Sequence, residues 1–454
     1  MEHNEEMNNK RKSYDNGYNQ SNKKIKYNKD EYFFEFQNHD FREFLKRICN
    51  STFQSIRFFG KMDFLGSWDD DPISIYFKDF DDKIIRTHEH IMKNYDSYDV
   101  RCLSEDQRLY IQFMIRYMEK LDQLFLSNSS MDQLPKAIKF LRNCKKIIIM
   151  RVGISQLPEE IGELLQLTEL ALPCNKLSIL PLSIGNLTNL GTLELRENIL
   201  ESIPESIGNL TKLENFNAIS NMIHSLPGTI GNLTNLKELK LSQNRLESIP
   251  ETIGKLTKLK VLDLSDNKIT TLFSYIKKLT SLTTLCLENN KFTYITEEIG
   301  QLTELIELNL SNNNIESLPS SIGNLKNMEK FYIGRNKLKS IPYQIYNWIK
   351  CQYMSLTNNN LLSLPREMMH MNSLMCIELS KNPFYQKLNS KDKEMFEFCG
   401  GESHLFDRTR FFKFFENMTP WNITKLMFIG HKNSDNLLYK LPIELLHEIS
   451  FMMP

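Results

Sequence analysis

The chain has few of the features that mark secreted, membrane or disulfide-stabilised proteins. Only eight of its 454 residues are cysteine, and none forms a C-x-x-C pair or follows zinc-ligand spacing. This argues against a disulfide framework and a structural zinc site. The first residues lack the basic-then-apolar pattern of a secretory signal, and no apolar run approaches the ~18 residues that a membrane span needs. We therefore expect a soluble, intracellular protein with no membrane partner.

An excess of charge of one sign is also missing. Lysine and arginine number 56, as do aspartate and glutamate, which gives a formal net charge of +0. Without a basic excess, the chain as a whole has no long-range field that attracts nucleic acid or anionic lipid. We expect no nucleic-acid partner, and any electrostatic recognition has to be local.

Sequence motifs of catalysis or cofactor binding are missing as well. No P-loop and no G-x-G-x-x-G follows a candidate strand. The His-Glu-His segment at 88–90 lacks the spacing of His-Glu-x-x-His, and the three aspartates at 69–71 lack the spaced ligands and glycine of a calcium loop. We expect no enzyme, no catalytic residue, no metal site and no cofactor.

A repeat of 23 residues dominates the chain. The pattern Leu167-x-x-Leu170-x-Leu172-x-x-Asn175 recurs with no insertion or deletion. Its asparagines are Asn175, Asn198, Asn221, Asn244, Asn267, Asn290, Asn313, Asn336, Asn359 and Asn382. Counting back from Asn175 in steps of 23 residues reaches Val152 and Ser129, which lie in similar apolar patterns. With the ten asparagines they make twelve units, which cover 121–384. We number the units 1 to 12 by these positions, which we call ladder positions.

The second half of a typical unit carries a resemblance to a known family. The stretch from Ile203 to Leu210 reads I-P-E-S-I-G-N-L, and it resembles the 23-residue, L-P-x-x-I-G class of leucine-rich repeats, with similarity to the Ras-associated members. The resemblance implies an α/β solenoid, a horseshoe of about twelve units with a parallel concave sheet and helical N- and C-terminal flanks. The pattern agrees with this, since one unit cannot bury its leucines unless neighbours stack on it.

The segments around the repeats differ in composition. Residues 1–32 are polar and predict a disordered tail. Its basic clusters at 10–11 and 23–26 fit either a nuclear import signal or a solvated tail. Residues 33–120 end in a helical apolar stripe that leads into the first repeat, which predicts a helical cap. Residues 385–436 form a C-terminal flank.

Residues 437–454 contain the sequence L-P-I-E-L-L-H-E-I at 441–449, which resembles the opening of an F-box. An F-box docks on the adaptor of cullin-type ubiquitin ligases. A truncated F-box at the C-terminus resembles the tails of viral repeat proteins, which implies a viral protein in a host cell. The resemblance assigns adaptor binding to Leu441, Pro442, Glu444, Leu445, Leu446 and Ile449. The alternative is an amphipathic helix that packs against the C-terminal flank.

Outward strand positions are the places where a solenoid has freedom to bind a partner. Reading these positions predicts a protein-binding site on the concave face, because tyrosine and arginine are enriched at binding hot spots. The predicted residues are Arg196, Lys240, Asp263, Glu288, Lys330, Tyr332, Arg335 and Tyr353. The alternative is an ordinary polar strand surface.

These features predict a non-enzymatic interaction module that binds a partner protein on its concave face. In one version it is a substrate receptor, whose repeats hold a target while the F-box-like segment recruits a cullin-type ligase. In the other it is a scaffold, similar to the Ras-associated repeat proteins, with no ligase link. Both versions predict a cytoplasmic location, and the basic clusters leave nuclear import open.

Overall fold

A computed structural model describes residues 121–127, 132–272, 274–388, 390 and 393. In this part of the chain, twelve parallel strands form one sheet in chain order. They are β1 (Gln123–Ser127), β2 (Lys146–Met150), β3 (Glu169–Ala171), β4 (Thr192–Glu194), β5 (Asn215–Asn217), β6 (Glu238–Lys240), β7 (Val261–Asp263), β8 (Thr284–Cys286), β9 (Glu307–Asn309), β10 (Lys330–Tyr332), β11 (Tyr353–Ser355) and β12 (Cys376–Glu378). The predicted solenoid of twelve units with a parallel concave sheet is confirmed.

The predicted segments outside the repeats are not part of this description. The tail 1–32, the cap 33–120 and the F-box-like segment 437–454 lie outside the described residues, as does most of the flank 385–436. A short helix, α1 (Pro383–Gln386), follows the last ladder asparagine. Within the described part of the chain, no helix has the length and apolar character that crossing a membrane requires.

The convex side of the described chain is built from 3-10 helices, one per unit from unit 1 to unit 11. They are Lys136–Phe140, Glu159–Glu163, Leu182–Asn186, Glu205–Asn209, Gly228–Asn232, Glu251–Lys255, Ser274–Lys278, Glu297–Gln301, Ser320–Asn324, Tyr343–Asn347 and Arg366–His370. Most of them follow a proline in extended conformation, such as Pro204 with φ −69° and ψ 151°. The tighter 3-10 geometry suits such short pieces of helix.

The core is a continuous column of apolar side chains between sheet and helices. In unit 4, the strand leucines Leu193 and Leu195 and the convex-side residues Ile207 and Leu210 have no exposed surface. In unit 10 a tryptophan, Trp348, takes the place of the usual leucine. Its indole Nε1 donates to a carbonyl oxygen of the preceding unit at 2.9 Å, so the larger ring enters the core without leaving a buried donor unpaired.

The ladder asparagines join each unit to the one before it. The Nδ2 atom of Asn244 donates to the carbonyl oxygens of Ala218 and Leu241, at 2.9 and 3.0 Å. Its Oδ1 accepts from the backbone N–H of Ile223 at 3.0 Å. One buried side chain thus satisfies backbone groups of two coils that the turn would otherwise leave unpaired. Equivalent bonds are made by the other ladder asparagines, down to Asn382.

The residue before each ladder position adopts a left-handed backbone. From Arg151 to Lys381, eleven such residues have φ between 52° and 58°, and none of them is glycine. This conformation costs energy for most L-amino acids. It turns the chain out of the strand so that the next side chain, the asparagine, points into the solenoid.

Glycine in the 3-10 helices is required by close packing between units. A Cβ atom added at Gly231 would lie 2.3 Å from the carbonyl oxygen of Thr252 in the next unit. The other glycine of the same helix, Gly228, has no atom within 4 Å of its added Cβ. A side chain at position 231 would therefore collide with the next unit, whereas one at position 228 would not.

We predict that Asn244→Ala lowers the free energy of unfolding by about 1–3 kcal/mol, because it leaves buried backbone groups without partners. The matched control is Asn232→Ala, which removes an exposed asparagine from the preceding unit and should change little. Urea denaturation of both variants checks this. An unchanged midpoint for Asn244→Ala would contradict a structural role for the ladder.

We also predict that Gly231→Ala destabilises the solenoid by about 1–3 kcal/mol, since the added methyl group overlaps the next unit. Gly228→Ala should be neutral or slightly stabilising, because alanine has less conformational entropy to lose on folding. Thermal unfolding of the two variants, followed by circular dichroism, makes the comparison. Equal effects at both positions would show that packing does not decide the choice of glycine.

Candidate protein-binding surface

The structure places seven of the eight predicted partner-binding residues on or just beyond the concave strands. Lys240, Asp263, Tyr332 and Tyr353 are half-exposed strand residues, and Lys330 is exposed at the start of β10. The exposed side chains of Arg196 and Glu288 lie two residues past β4 and β8. The remaining residue, Arg335, has φ 56° and belongs to the left-handed turn after β10.

Three of these residues lie together, and we call Lys330, Tyr332 and Tyr353 the tyrosine patch. The two tyrosine rings are in contact, with centroids 5.1 Å apart and planes inclined by 40°. Lys330 pairs in register with Tyr353 on the neighbouring strand. Its ammonium group lies 3.6 Å from the carboxylate of Glu307. The patch therefore combines aromatic surface with a partly neutralised cation.

Both phenols of the tyrosine patch stay protonated at neutral pH. Burial raises the pKa of Tyr332, and the carboxylate of Glu307 adds to the rise. Burial also raises the pKa of Tyr353, with a further contribution from its hydrogen bond to Glu378. The Glu378 carboxylate accepts a second bond, from Ser355 Oγ at 2.8 Å. The patch therefore presents two neutral phenols, of which that of Tyr353 is hydrogen-bonded to Glu378.

The middle of the sheet is acidic. Asp263 on β7 pairs in register with Cys286 on β8. Burial, and then the carboxylates of Asp263, Glu307 and Glu288, raise the pKa of this thiol to about 12. The thiol is therefore neutral and a poor nucleophile. In the described residues, no group of three or more histidine, cysteine, aspartate or glutamate side chains is placed to hold a metal ion.

The other predicted residues do not join one site. Arg196 follows β4, six strands before β10, a separation of about 29 Å at ~4.8 Å per strand. Lys240 forms an ion pair with Glu238 of its own strand at 2.6 Å. The predicted adaptor-binding residues, Leu441 to Ile449, lie outside the described residues.

The prediction missed two carboxylates that shape the tyrosine patch, Glu307 and Glu378. Glu307 lies six residues before its ladder asparagine. Lys330 and Tyr353 occupy the same position in their own units, and we call such a set of equivalent positions a column. The period of two along a strand shows that this column also faces outward, so the signal was present in the sequence. Glu378 lies in the column of Tyr332, but only the hydrogen bonds that it accepts from Tyr353 and Ser355 show that it belongs to the surroundings of the patch.

The cysteine spacing argued against a disulfide framework, and this expectation needs correction at one cysteine. Cys144, Cys174, Cys286 and Cys351 are free, whereas Cys376 is disulfide-bonded. A disulfide depends on two cysteines being close in space, which spacing along the chain does not reveal.

Comparisons with known proteins identify the repeat. A family model for a leucine-rich repeat region matches residues 160–265 and 227–312, and a model for two copies of the repeat matches 303–344. A leucine-rich repeat protein of Leptospira interrogans is 33% identical over 62% of this chain and 76% of its own, with a TM-score of 0.54.

Two further solved structures are similar. The plant peptide hormone receptor RGFR1, solved in complex with RGF2, is 28% identical over 59% of this chain and 53% of its own, with a TM-score of 0.47. An internalin of Listeria monocytogenes is 21% identical over 66% of this chain and 89% of its own, with a TM-score of 0.48. No curated protein matches the chain.

Leucine-rich repeat folds generally mediate protein–protein interactions, and the proteins that carry them are typically non-enzymatic. The unbroken asparagine ladder, the chain-order parallel sheet and these matches lead to one conclusion: the chain belongs to the leucine-rich repeat family.

Proposed function

We propose that this protein binds a partner protein on its concave sheet, with the tyrosine patch at the centre of the interface. The observation that carries the proposal is the ring contact between Tyr332 and Tyr353, on strands next to the polar outward residues Glu307 and Asn309 of β9. These rings are half-buried and held by neighbours before any partner arrives, so binding costs them little additional conformational entropy.

The dimensions of the sheet support a protein as the ligand. Twelve strands make eleven steps, an inner surface about 50 Å long at ~4.8 Å per step. A standard protein interface covers roughly 800 Å² on each partner, which such a surface can supply. Arg335, exposed beside the patch, adds a second cation at the rim, where charge contributes mainly to association rate and specificity.

We further propose that the bound protein is a target for ubiquitination. In this version the concave face holds the target, and Leu441, Pro442, Glu444, Leu445, Leu446 and Ile449 bind the adaptor of a cullin-type ligase. The support is the F-box-like sequence together with its position along the chain, after the last strand of the sheet, since a receptor has to hold target and ligase at once. This function requires a cytoplasmic or nuclear location.

A scaffold similar to the Ras-associated repeat proteins is the competing proposal. It shares the concave binding site and requires no adaptor. Recovery of an adaptor with the intact protein separates the two.

We predict that the Tyr332→Ala/Tyr353→Ala double variant loses at least about 2 kcal/mol of binding free energy, or about 30-fold in Kd. Partners are first recovered with the wild-type protein and then titrated by calorimetry. Tyr294→Ala is the control, because Tyr294 is 49% exposed and lies outside the strands. If the double variant is folded and binds every recovered partner normally, the tyrosine patch does not contribute to binding.

We predict that Leu445→Asp abolishes co-purification of the adaptor while the repeats remain folded, because it places a charge on the apolar docking face. Ser450→Asp, beside the motif, is the control and should retain the adaptor. If the wild-type protein brings down no adaptor, the ligase version is wrong and the scaffold version remains.

A further inference from the structure

Unit 10 departs from the repeat on its convex side in three positions at once. Where unit 4 carries Glu205, Gly208 and Thr211, unit 10 carries Tyr343, Tyr346 and Ile349. These three side chains are 47%, 38% and 59% exposed. We call them the convex stripe. The core does not require these residues, because other units fold with small or polar residues in the same columns.

The tyrosines of the convex stripe are spaced along their helix like side chains on one face of an α-helix. Tyr343 and Tyr346 lie in one 3-10 helix, where residues three apart share a face and are about 6 Å apart along the axis. Residues four apart on an α-helix also share a face and are about 6 Å apart along its axis. An amphipathic helix with apolar residues at i and i+4 can therefore place one side chain against each tyrosine, and Ile349 lies in the turn two residues after the 3-10 helix.

Basic side chains frame the convex stripe. Lys326 occupies the column of Ile349 one unit earlier, and Arg366 occupies the column of Tyr343 one unit later. Lys350, next to Ile349, donates to Asn327 Oδ1 at 2.7 Å, which holds it at this edge. Glu367 is the single carboxylate in the convex segments 320–326, 343–350 and 366–372. The surface therefore suits an apolar helix with acidic flanks.

The chain itself contains such a segment beyond its described repeats. The segment 441–449 has apolar residues at Leu441, Leu445 and Ile449, each four apart, and it carries Glu444 and Glu448 with no lysine or arginine. The other apolar stretches of the C-terminal region lack this acidic character: 405–418 carries three basic residues against two acidic ones, and 421–429 carries one lysine and no acidic residue. The 53 residues from 388 to 441 can span far more than the distance required, at up to ~3.3 Å each.

We propose that segment 441–449 binds the convex stripe of its own chain as a helix. Its apolar residues Leu441, Leu445 and Ile449 face the stripe, and its two glutamates face the basic side chains around the stripe. This contact does not depend on the concave binding site. If the ligase version of the proposed function holds, the same apolar face serves both contacts, so adaptor binding requires release from the stripe.

The test measures amide hydrogen exchange of residues 441–449 in the full-length chain. The stripe variant combines Tyr343→Ser, Tyr346→Gly and Ile349→Thr, residues found in these columns in other units. Its matched control, Ile179→Ser/Leu182→Glu, removes two exposed apolar residues, 55% and 70% exposed, from the convex side of unit 3. A second variant, Lys326→Glu/Arg366→Glu, leaves the stripe intact and reverses the charge of its frame.

We expect protection of 441–449 in the wild type and in the control, and a loss of at least about tenfold in the stripe and charge variants. A synthetic peptide of residues 437–454 should bind the Leu445→Asp chain, whose stripe is vacant, and should not bind once the stripe substitutions are added. Wild-type exchange as fast as that of the free peptide would overturn the proposal. So would protection that persists in the stripe variant, or that rises with protein concentration, which indicates a second copy. The adaptor pulldown is a separate readout, so failure of the ligase version leaves this result standing.

Discussion

The hydrogen bonds of the ladder asparagines are the constraint on which the rest of the structure depends. Each buried amide satisfies backbone groups in two coils, as Asn244 does through Ala218 and Ile223. Because an amide side chain reaches only about 3 Å to its partners, the coils can neither slide nor change length. The left-handed residue before each ladder asparagine turns that side chain into the solenoid, where it makes these bonds.

A constraint of this kind separates the columns of the repeat into two classes. Columns that face the core or the next unit accept few residues, as the 2.3 Å approach at Gly231 shows. Columns that face outward accept almost any residue, and their side chains carry the information that differs between proteins of this architecture. The tyrosine patch on the concave side occupies outward columns, as do Tyr343 and Ile349 of the convex stripe, whereas Tyr346 stands in the column of Gly231 and is 38% exposed.

The two faces present different chemistry to a partner. Between β9 and β11 the concave sheet combines two aromatic rings in contact, Tyr332 and Tyr353, with the Glu307–Lys330 ion pair. The convex stripe is apolar with a basic frame. An extended or folded protein surface matches the first, and a short amphipathic helix matches the second. The solenoid thus has room for two contacts that do not overlap.

The sequence by itself determined the period, the number of units, the parallel sheet and the ladder, because units of 23 residues bury the leucines of the repeat pattern only when they stack on one another. It also placed Lys330, Tyr332 and Tyr353 in outward strand positions, where the structure has them. Only the tertiary structure decided which predicted residues meet: Tyr332 and Tyr353 touch, while Arg196 lies far along the sheet. Contacts such as that of Glu307 with Lys330 depend on side-chain direction and register between units, and those distances are set when the coils stack.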